Sequence, residues 1–257
     1  AHPHDTGGGS TVLPGVSSSG DTGYLDLNQG VYTIMSYVDG WATHPSGQLT
    51  YADTVDWGYQ GTPMAVDIAL LQDKYGANED YHNGDDVYYL PDTNEPGTFF
   101  ACIWDTGGTD EIRFDGTGAV VIDLRDATLG IEEGGGGWIS YADGIYGGYT
   151  IANGVMIENA TGGSGNDALI GNEGDNVLTG NGGADTFIFT VDGGGYDTVT
   201  DFEDGVDLLD FSDYDRIRIW QFDVFSDDTG TTIIYEDQTV FLADIDPADL
   251  GRADFVL

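Results

Sequence analysis

GGSGNDALI (residues 162–170), GNEGDNVLT (171–179) and GNGGADTFI (180–188) follow one another without a gap. The three nines share a glycine-rich start, a carboxylate or its amide at the sixth place (Asp167, Asn176, Asp185) and a large apolar residue at the eighth (Leu169, Leu178, Phe187). This is the pattern G-G-x-G-x-D-x-U-x, in which each unit is a tight turn followed by a short strand and successive units wind a parallel coil around calcium. Two nines make one coil, so the turn at 162–167 stacks on the turn at 180–185. Parallel strands lie about 4.8 Å apart, and calcium takes oxygen ligands at roughly 2.3–2.6 Å. One ion therefore fits between successive turns, held by Asp167, Asp185 and backbone oxygens of Gly163, Gly165, Gly180 and Gly182. The intervening turn falls on the opposite edge, where Asn176 stacks over Glu158; a neutral amide there weakens the edge, although its oxygen can still ligate. Without ions the facing carboxylates repel and the coil loosens. Ordinary hairpins joined by Asn/Asp/Gly turns are the plain alternative, but they do not require three units in register.

Working outward, the 257 residues suffice for one large domain or two ordinary ones. Asp and Glu number 46 against 6 Lys and Arg, a formal charge of −40, and 37 of the acids are Asp. Asp favours turns and oxygen-ligand loops where Glu favours helix interiors. With 41 glycines, about twice the usual share, the composition is that of turn-rich β structure. So negative a surface repels phosphate backbones and anionic lipid, which excludes nucleic acid and membrane surfaces as partners. No stretch approaches the apolar length of a membrane span. The single cysteine, Cys102, lies in the apolar run 99–104 and is expected to be a buried strand residue rather than a nucleophile. The chain opens at Ala1 with neither Met nor signal peptide, as a mature product or a fragment would.

Residues 1–61 are irregular in pattern. A helix follows: Thr62 is its expected N-cap and Pro63 its first residue, with Met64, Ile68, Leu71 and Tyr75 on one face and Gly76 closing it. Beyond Asn78 the pattern changes to short strands and Gly/Asp turns, such as 85–90 and 119–124, which places a domain boundary there: 1–77, then 78–257.

With the repeats, several segments along the whole chain resemble the serralysins, secreted zinc endopeptidases of the metzincin group that end in an RTX calcium β-roll. They are Ala1-His2-Pro3, Ile34-Met35-Ser36-Tyr37, Asp67-Ile68-Ala69 with Lys74-Tyr75-Gly76-Ala77-Asn78, Ile103-Trp104-Asp105-Thr106-Gly107-Gly108-Thr109-Asp110, Ile157-Glu158-Asn159-Ala160, and Asp254-Phe255-Val256-Leu257. The resemblance implies a mainly β chain: the C-terminal remnant of an α+β metzincin catalytic domain followed by a parallel β-roll. It implies that His2 is the third zinc histidine, that Met35 is the Met-turn floor beneath the metal, and that Tyr37 is a displaceable zinc ligand that helps hold the oxyanion. It further implies a first calcium loop of Asp105, Gly107, Gly108 and Asp110, completed by His82, Gly84 and Asp86 at one ion and by Met156 and Glu158 at its neighbour. Residues 195–202, with Asp197 and Asp201, and then Gly205 and Asp207 resemble the family's closing calcium segment, which implies calcium ligation there. The ending resembles the uncleaved signal read by type I secretion, an apolar last strand being the plain alternative. Protein and peptide substrates, the upstream catalytic half and a proteinaceous inhibitor are the other implied partners, and the implied location is extracellular. His4, His44 and His82 otherwise read as loop residues.

The sequence departs from the family at one decisive place. The metzincin signature H-E-x-x-H-x-x-G-x-x-H is absent apart from its expected last histidine, so the general-base glutamate and two zinc ligands are missing. Catalytic zinc needs three protein ligands and an open water position. These residues alone are therefore expected to bind several calcium ions, to hold zinc only with the upstream segment, and to be proteolytically silent. A non-enzymatic calcium-folded module is the competing reading, and an RTX lipase is disfavoured because no G-x-S-x-G elbow occurs. Acids beyond those the calcium turns need, as in 204–215 and 223–228, suit a surface for salty water.

Overall fold

A computed structural model describes residues 13–47 and 56–257. The described chain forms one α-helix, α1 (Ala65–Tyr75), and sixteen short strands. In order these are β1 (Val87–Tyr89), β2 (Phe100–Ile103), β3 (Glu111–Arg113), β4 (Val120–Asp123), β5 (Ser140–Ala142), β6 (Gly148–Ile151), β7 (Asn159–Thr161) and β8 (Ala168–Ile170). There follow β9 (Val177–Thr179), β10 (Thr186–Ile188), β11 (Gly195–Val199), β12 (Leu208–Asp210), β13 (Asp223–Asp227), β14 (Gly230–Tyr235), β15 (Gln238–Ala243) and β16 (Phe255–Val256). Backbone packing divides the chain into two compact units. The first holds Ala1–Asn83, Leu90–Thr106 and Asp126–Val155; the second holds Gly84–Tyr89, Gly107–Arg125 and Met156–Leu257. Among the described residues no helix is long and apolar enough to cross a membrane.

In the first unit, β6 pairs in parallel with β2 and antiparallel with β5. Cys102 is buried on β2, and burial pushes its thiol up to about 12, so it stays protonated and inert. The helix differs from its expected form at both ends. Thr62 is not the N-cap and Pro63 is not helical; Met64 caps, because its N–H donates to Asp67 (3.0 Å) while the Thr62 hydroxyl accepts the Cys102 N–H (2.9 Å). Nor does the whole expected face pack. Met64 is fully buried, but Leu71 is 49 % and Tyr75 73 % exposed, so the helix is anchored through its first turn.

The second unit is a two-sheet parallel coil finished by an antiparallel flap. One sheet runs β1-β3-β7-β9-β11-β15-β14-β13, and the other runs β16-β12-β10-β8-β4 within this unit. The nine-residue period appears directly in the register: Asn159 lies beside Val177 and Ala168 beside Thr186, eighteen residues apart in both cases. Every eighth-place residue points inward. Ile112, Ala160, Leu178, Val199 and Leu242 form one column of adjacent partners; Ile122, Leu169, Phe187, Leu209 and Phe255 form the other, and all ten are buried. Three-residue strands supply few ladder hydrogen bonds each, so these columns carry much of the cohesion. Truncating Phe187, one of the two phenylalanines in the columns, to Ala should destabilise the unit by about 3–5 kcal/mol; urea unfolding that shifts by less than about 1 kcal/mol would refute the column as the core. Rings close the last coil, with Phe211 4.9 Å from Phe222 and Phe222 5.3 Å from Phe255.

Candidate metal centre

The glycine turns stack with almost no space between backbones. A Cβ on Gly165 would collide with the Gly118 carbonyl oxygen, and one on Gly183 with that of Gly165. Gly183 also has φ +136°, which side chains rarely adopt. The Gly182 N–H donates to the Gly163 carbonyl (3.3 Å) and Asn181 Nδ2 to the Gly162 carbonyl (2.7 Å). Close stacking brings each sixth-place side chain against the turn one coil earlier.

The result is a ladder of carboxylates on each edge. On the first, Asp167 accepts from Gly163 N–H of its own turn (2.6 Å) and from Val120 N–H (2.9 Å). The Asp167 N–H then donates to Asp185 (2.8 Å), and the Asp185 N–H to Asp207 (2.9 Å). Asp207 also accepts Glu203 N–H (2.8 Å), and Asp254 accepts from Gly205 (3.1 Å) and Gly251 (2.6 Å). On the second edge, Asp86 N–H donates to Asp110 (2.8 Å) and Asp110 N–H to Glu158 (2.7 Å). Glu158 and Asn176 do stack, through a bond from Val177 N–H to the Glu158 carbonyl (3.1 Å). Asn176 N–H donates to Asp197 (2.9 Å), whose other oxygen accepts from Gln238 (2.8 Å). Asp201 ties the turns differently, accepting from Gly180 (3.0 Å) and Asn181 (2.7 Å).

Backbone N–H groups orient the carboxylates of Asp110, Asp167, Asp185, Asp197, Asp207 and Asp254. The electrostatic cost nevertheless remains. Asp167, Asp185, Asp197, Asp207 and Asp254 are each at most 3 % exposed, and among the described residues no lysine or arginine pairs with them. Buried carboxylates without a counter-cation are expensive. Burial, reinforced by the neighbouring Asp167, Asp207 and Asp201, pushes Asp185 up to about 6; burial pushes Asp197 up to about 7 and raises Asp167. Oxygen-only donors, negative and buried, with carbonyls stacked beside them, fit a hard cation such as calcium. An ion held there would supply positive charge and cross-link successive coils.

Of the remaining expected calcium ligands, Gly84, Asp86, Gly107, Gly108 and Asp110 gather in the second unit. A Cβ on Gly108 would strike the Gly84 carbonyl oxygen, so the two turns stack like the later ones. Asp105 is buried and His82 exposed, both in the first unit. Met156 lies half-buried with its sulfur beside Gly174. The sequence reading passed over three contributors. Asp207, expected in the closing calcium segment, continues the first ladder, and so does Asp254, which sits in a stretch read as a secretion signal. Gln238 closes the second. Asn172 is buried and donates to the carbonyls of Leu124 (3.2 Å) and Ile157 (2.8 Å); the recurrent Gly-Asn start of the nines was its only signal.

The expected zinc residues present a different picture. His2 lies outside the described residues, as does His4. Met35 is half-buried and Tyr37 58 % exposed. His44 is buried and neutral: Ser46 N–H donates to Nδ1 (3.0 Å), Nε2 faces the Ile145 carbonyl (3.1 Å), and burial lowers its pKa. The described part of this region does not offer three zinc ligands. What it does hold is the turn itself. The Asp67 carboxylate accepts from the Thr33 hydroxyl (2.8 Å), Ile34 N–H (2.8 Å) and Met64 N–H (3.0 Å), clamping residues 33–35 to α1. Replacing Asp67 by Ala orphans three donors and should cost about 3 kcal/mol, seen as a lower urea midpoint; a shift within about 0.5 kcal/mol would remove the clamp from the account.

Comparison with known proteins adds a family to this geometry. The family model described as peptidase M10 serralysin C terminal matches residues 72–246, which takes in the helix end and both ladders up to Gln238. The chain belongs to the serralysin C-terminal family. Among its relatives are "Serralysin" of Proteus mirabilis, 34 % identical over 69 % of this chain and 33 % of the relative, and "Metallopeptidase AprA" of Pseudomonas marginalis, 34 % identical over 69 % and 35 %. "Serralysin C" of Dickeya chrysanthemi is 34 % identical over 61 % of this chain and 32 % of its own length. The chain thus spans about a third of the length of the curated relatives it matches. The matched region of this serralysin C-terminal chain includes all three nine-residue repeats.

Proposed function

We propose that these residues are the calcium-folded C-terminal part of a secreted zinc endopeptidase, and that by themselves they do not hydrolyse peptides. The observation that carries the calcium part is the pair of ladders: at least five buried aspartates, uncompensated by any basic side chain among the described residues, in a member of a metallopeptidase family. Asp167, Asp185, Asp207 and Asp254 with their glycine turns would hold ions on one edge. Asp86, Asp110, Glu158, Asn176 and Asp197 would do so on the other. Calcium thereby converts like-charged turns into a rigid support for the catalytic segment. Protein substrates, the type I secretion machinery and a proteinaceous inhibitor are the partners this reading entails.

The silence toward peptides rests on chemistry. The 257 residues contain no H-E-x-x-H, so no glutamate is placed to take a proton from zinc-bound water. With the upstream segment supplied, Tyr37 would donate to the developing oxyanion. Metal analysis after exhaustive dialysis should find several calcium ions per chain and less than a tenth of an equivalent of zinc, with no casein hydrolysis. Chelator-sensitive cleavage by this chain alone would overturn the reading.

A further inference from the structure

The flap that ends the long sheet leaves an edge with an unusual combination of groups. Every residue of β13 is exposed, and β13 is the terminal strand, held by β14 alone. Its hydrogen-bond polarity follows from the neighbouring pair. Asp244 N–H donates to the Thr229 carbonyl (2.9 Å), which makes Gly230 and Ala243 a non-hydrogen-bonded pair, so Gly230 turns its own backbone groups toward Asp227. Alternation then aims the N–H and C=O of Asp223, Phe225 and Asp227 at β14, and those of Val224 and Ser226 away from the sheet. Two donors and two acceptors therefore line an edge that no described strand covers, between exposed Val224 and Phe225. Natural edges are normally blunted by lysine, proline or a covering loop. Among the described residues the guards here are acids.

Those acids define the occupant. Asp223, Phe225 and Asp227 share one face, two residues apart. At the end of the strand, Ser226, Asp227, Asp228, Asp244 and Asp246 line a cavity of about 260 Å³ that has no basic side chain in its wall. We propose that this edge binds an extended cationic peptide segment as an added antiparallel strand, with main-chain bonds to Val224 and Ser226 and a lysine or arginine seated in the Asp227/Asp228/Asp244/Asp246 cavity. The complementary pattern is basic-x-apolar-x-basic, opposite Asp223, Phe225 and Asp227. A second copy of this chain is a poor occupant, because antiparallel self-pairing about Phe225 sets Asp223 against Asp227 twice, between molecules each carrying −40.

The test uses the whole chain in calcium buffer, with fluorescein-labelled Lys-Thr-Val-Thr-Lys and Glu-Thr-Val-Thr-Glu as probes in anisotropy titrations. The lysine peptide is expected to saturate and the glutamate peptide not to bind. Ser226→Pro removes an outward N–H and no internal bond, and should weaken binding about tenfold, whereas Ser226→Ala retains it. Asp246→Asn should weaken it about threefold. Amide exchange of wild-type protein provides a readout independent of any variant: Val224 and Ser226 should slow about tenfold on saturation, with Phe225 unchanged. Failure of the lysine peptide to bind would overturn the proposal. So would binding that Ser226→Pro leaves intact with no protection at Val224 and Ser226, since that is mere adsorption to an acidic surface. A concentration-dependent dimer abolished by Ser226→Pro would assign the edge to self-pairing instead.

Discussion

Excess chelator at low salt is expected to abolish most of the far-ultraviolet β signal of this chain, and added calcium to restore it cooperatively. The reason is the balance inside the second unit. Its strands are mostly three residues long, so the coil has few backbone bonds per turn and depends on its two apolar columns. Set against those columns are the desolvated carboxylates of both ladders. An ion that binds the folded coil and not the open chain stabilises it by RT ln(1 + [L]/Kd), about 2.7 kcal/mol per site at a hundredfold excess over Kd. Three or four such sites would amount to roughly 8–11 kcal/mol, comparable with the whole stability of an ordinary domain. Loss of the ions should therefore unfold the coil rather than merely soften it. Sodium chloride should partly compensate in chelator by screening the −40 charge, and a chelator-state stability that falls as salt rises would argue against self-repulsion as the cause. A circular dichroism spectrum and melting temperature unchanged by chelator would sink the calcium reading altogether.

How far the sequence disclosed this arrangement depended on the regularity of the spacing. The nines at 162–188 showed the coil, its two edges and its inward residues because a fixed period maps directly onto stacked turns. Neighbouring coils carry insertions. Val177 pairs with Thr198 and Thr186 with Leu208, offsets of 21 and 22, while β4 and β3 reach β8 and β7 across 47 and 48 residues. Once the period breaks, spacing alone no longer separates an aspartate buried in a ladder from one solvated on a loop, and Asp207 was reached only through the family resemblance. Asp254 was obscured for another reason: its place before Phe255 suited an apolar terminus, and only the Gly205 and Gly251 bonds show it as a rung. In the first unit the helix was legible and its attachment was not. Apolar spacing suggested a packed stripe, whereas the anchor is a polar residue, Asp67, whose partners lie more than thirty residues away at Thr33 and Ile34. The β13 edge could not have been found from DVFSD alone, because which amides face outward is set by the pairing of β14 with β15.

Acidity should act on the same coil in opposite directions with and without calcium. Asp185, pushed up to about 6, and Asp197, pushed up to about 7, have folded values above the roughly 3.9 of an unfolded aspartate, and burial is the first cause of each. Between about pH 4 and pH 7 the folded chain thus holds more protons than the unfolded one, so stability falls as pH rises through that window. The favourable contribution is complete below about pH 4 and lost above pH 7. In chelator the melting temperature should therefore be higher at pH 5 than at pH 8. Calcium competes with those protons, so its affinity should rise with pH, and the calcium-loaded chain should be more stable at pH 8 than at pH 5. General relief of the −40 charge on acidification also favours pH 5 in chelator, and Asp197→Asn separates the two causes. The amide removes a buried charge yet keeps an acceptor for the Asn176 N–H. It should raise the chelator-state melting temperature at pH 8, flatten its slope between pH 5 and pH 7, and lower the calcium-state melting temperature. The reversal of sign within one variant is the decisive reading, because a residue that served only as a hydrogen-bond acceptor would shift both states the same way.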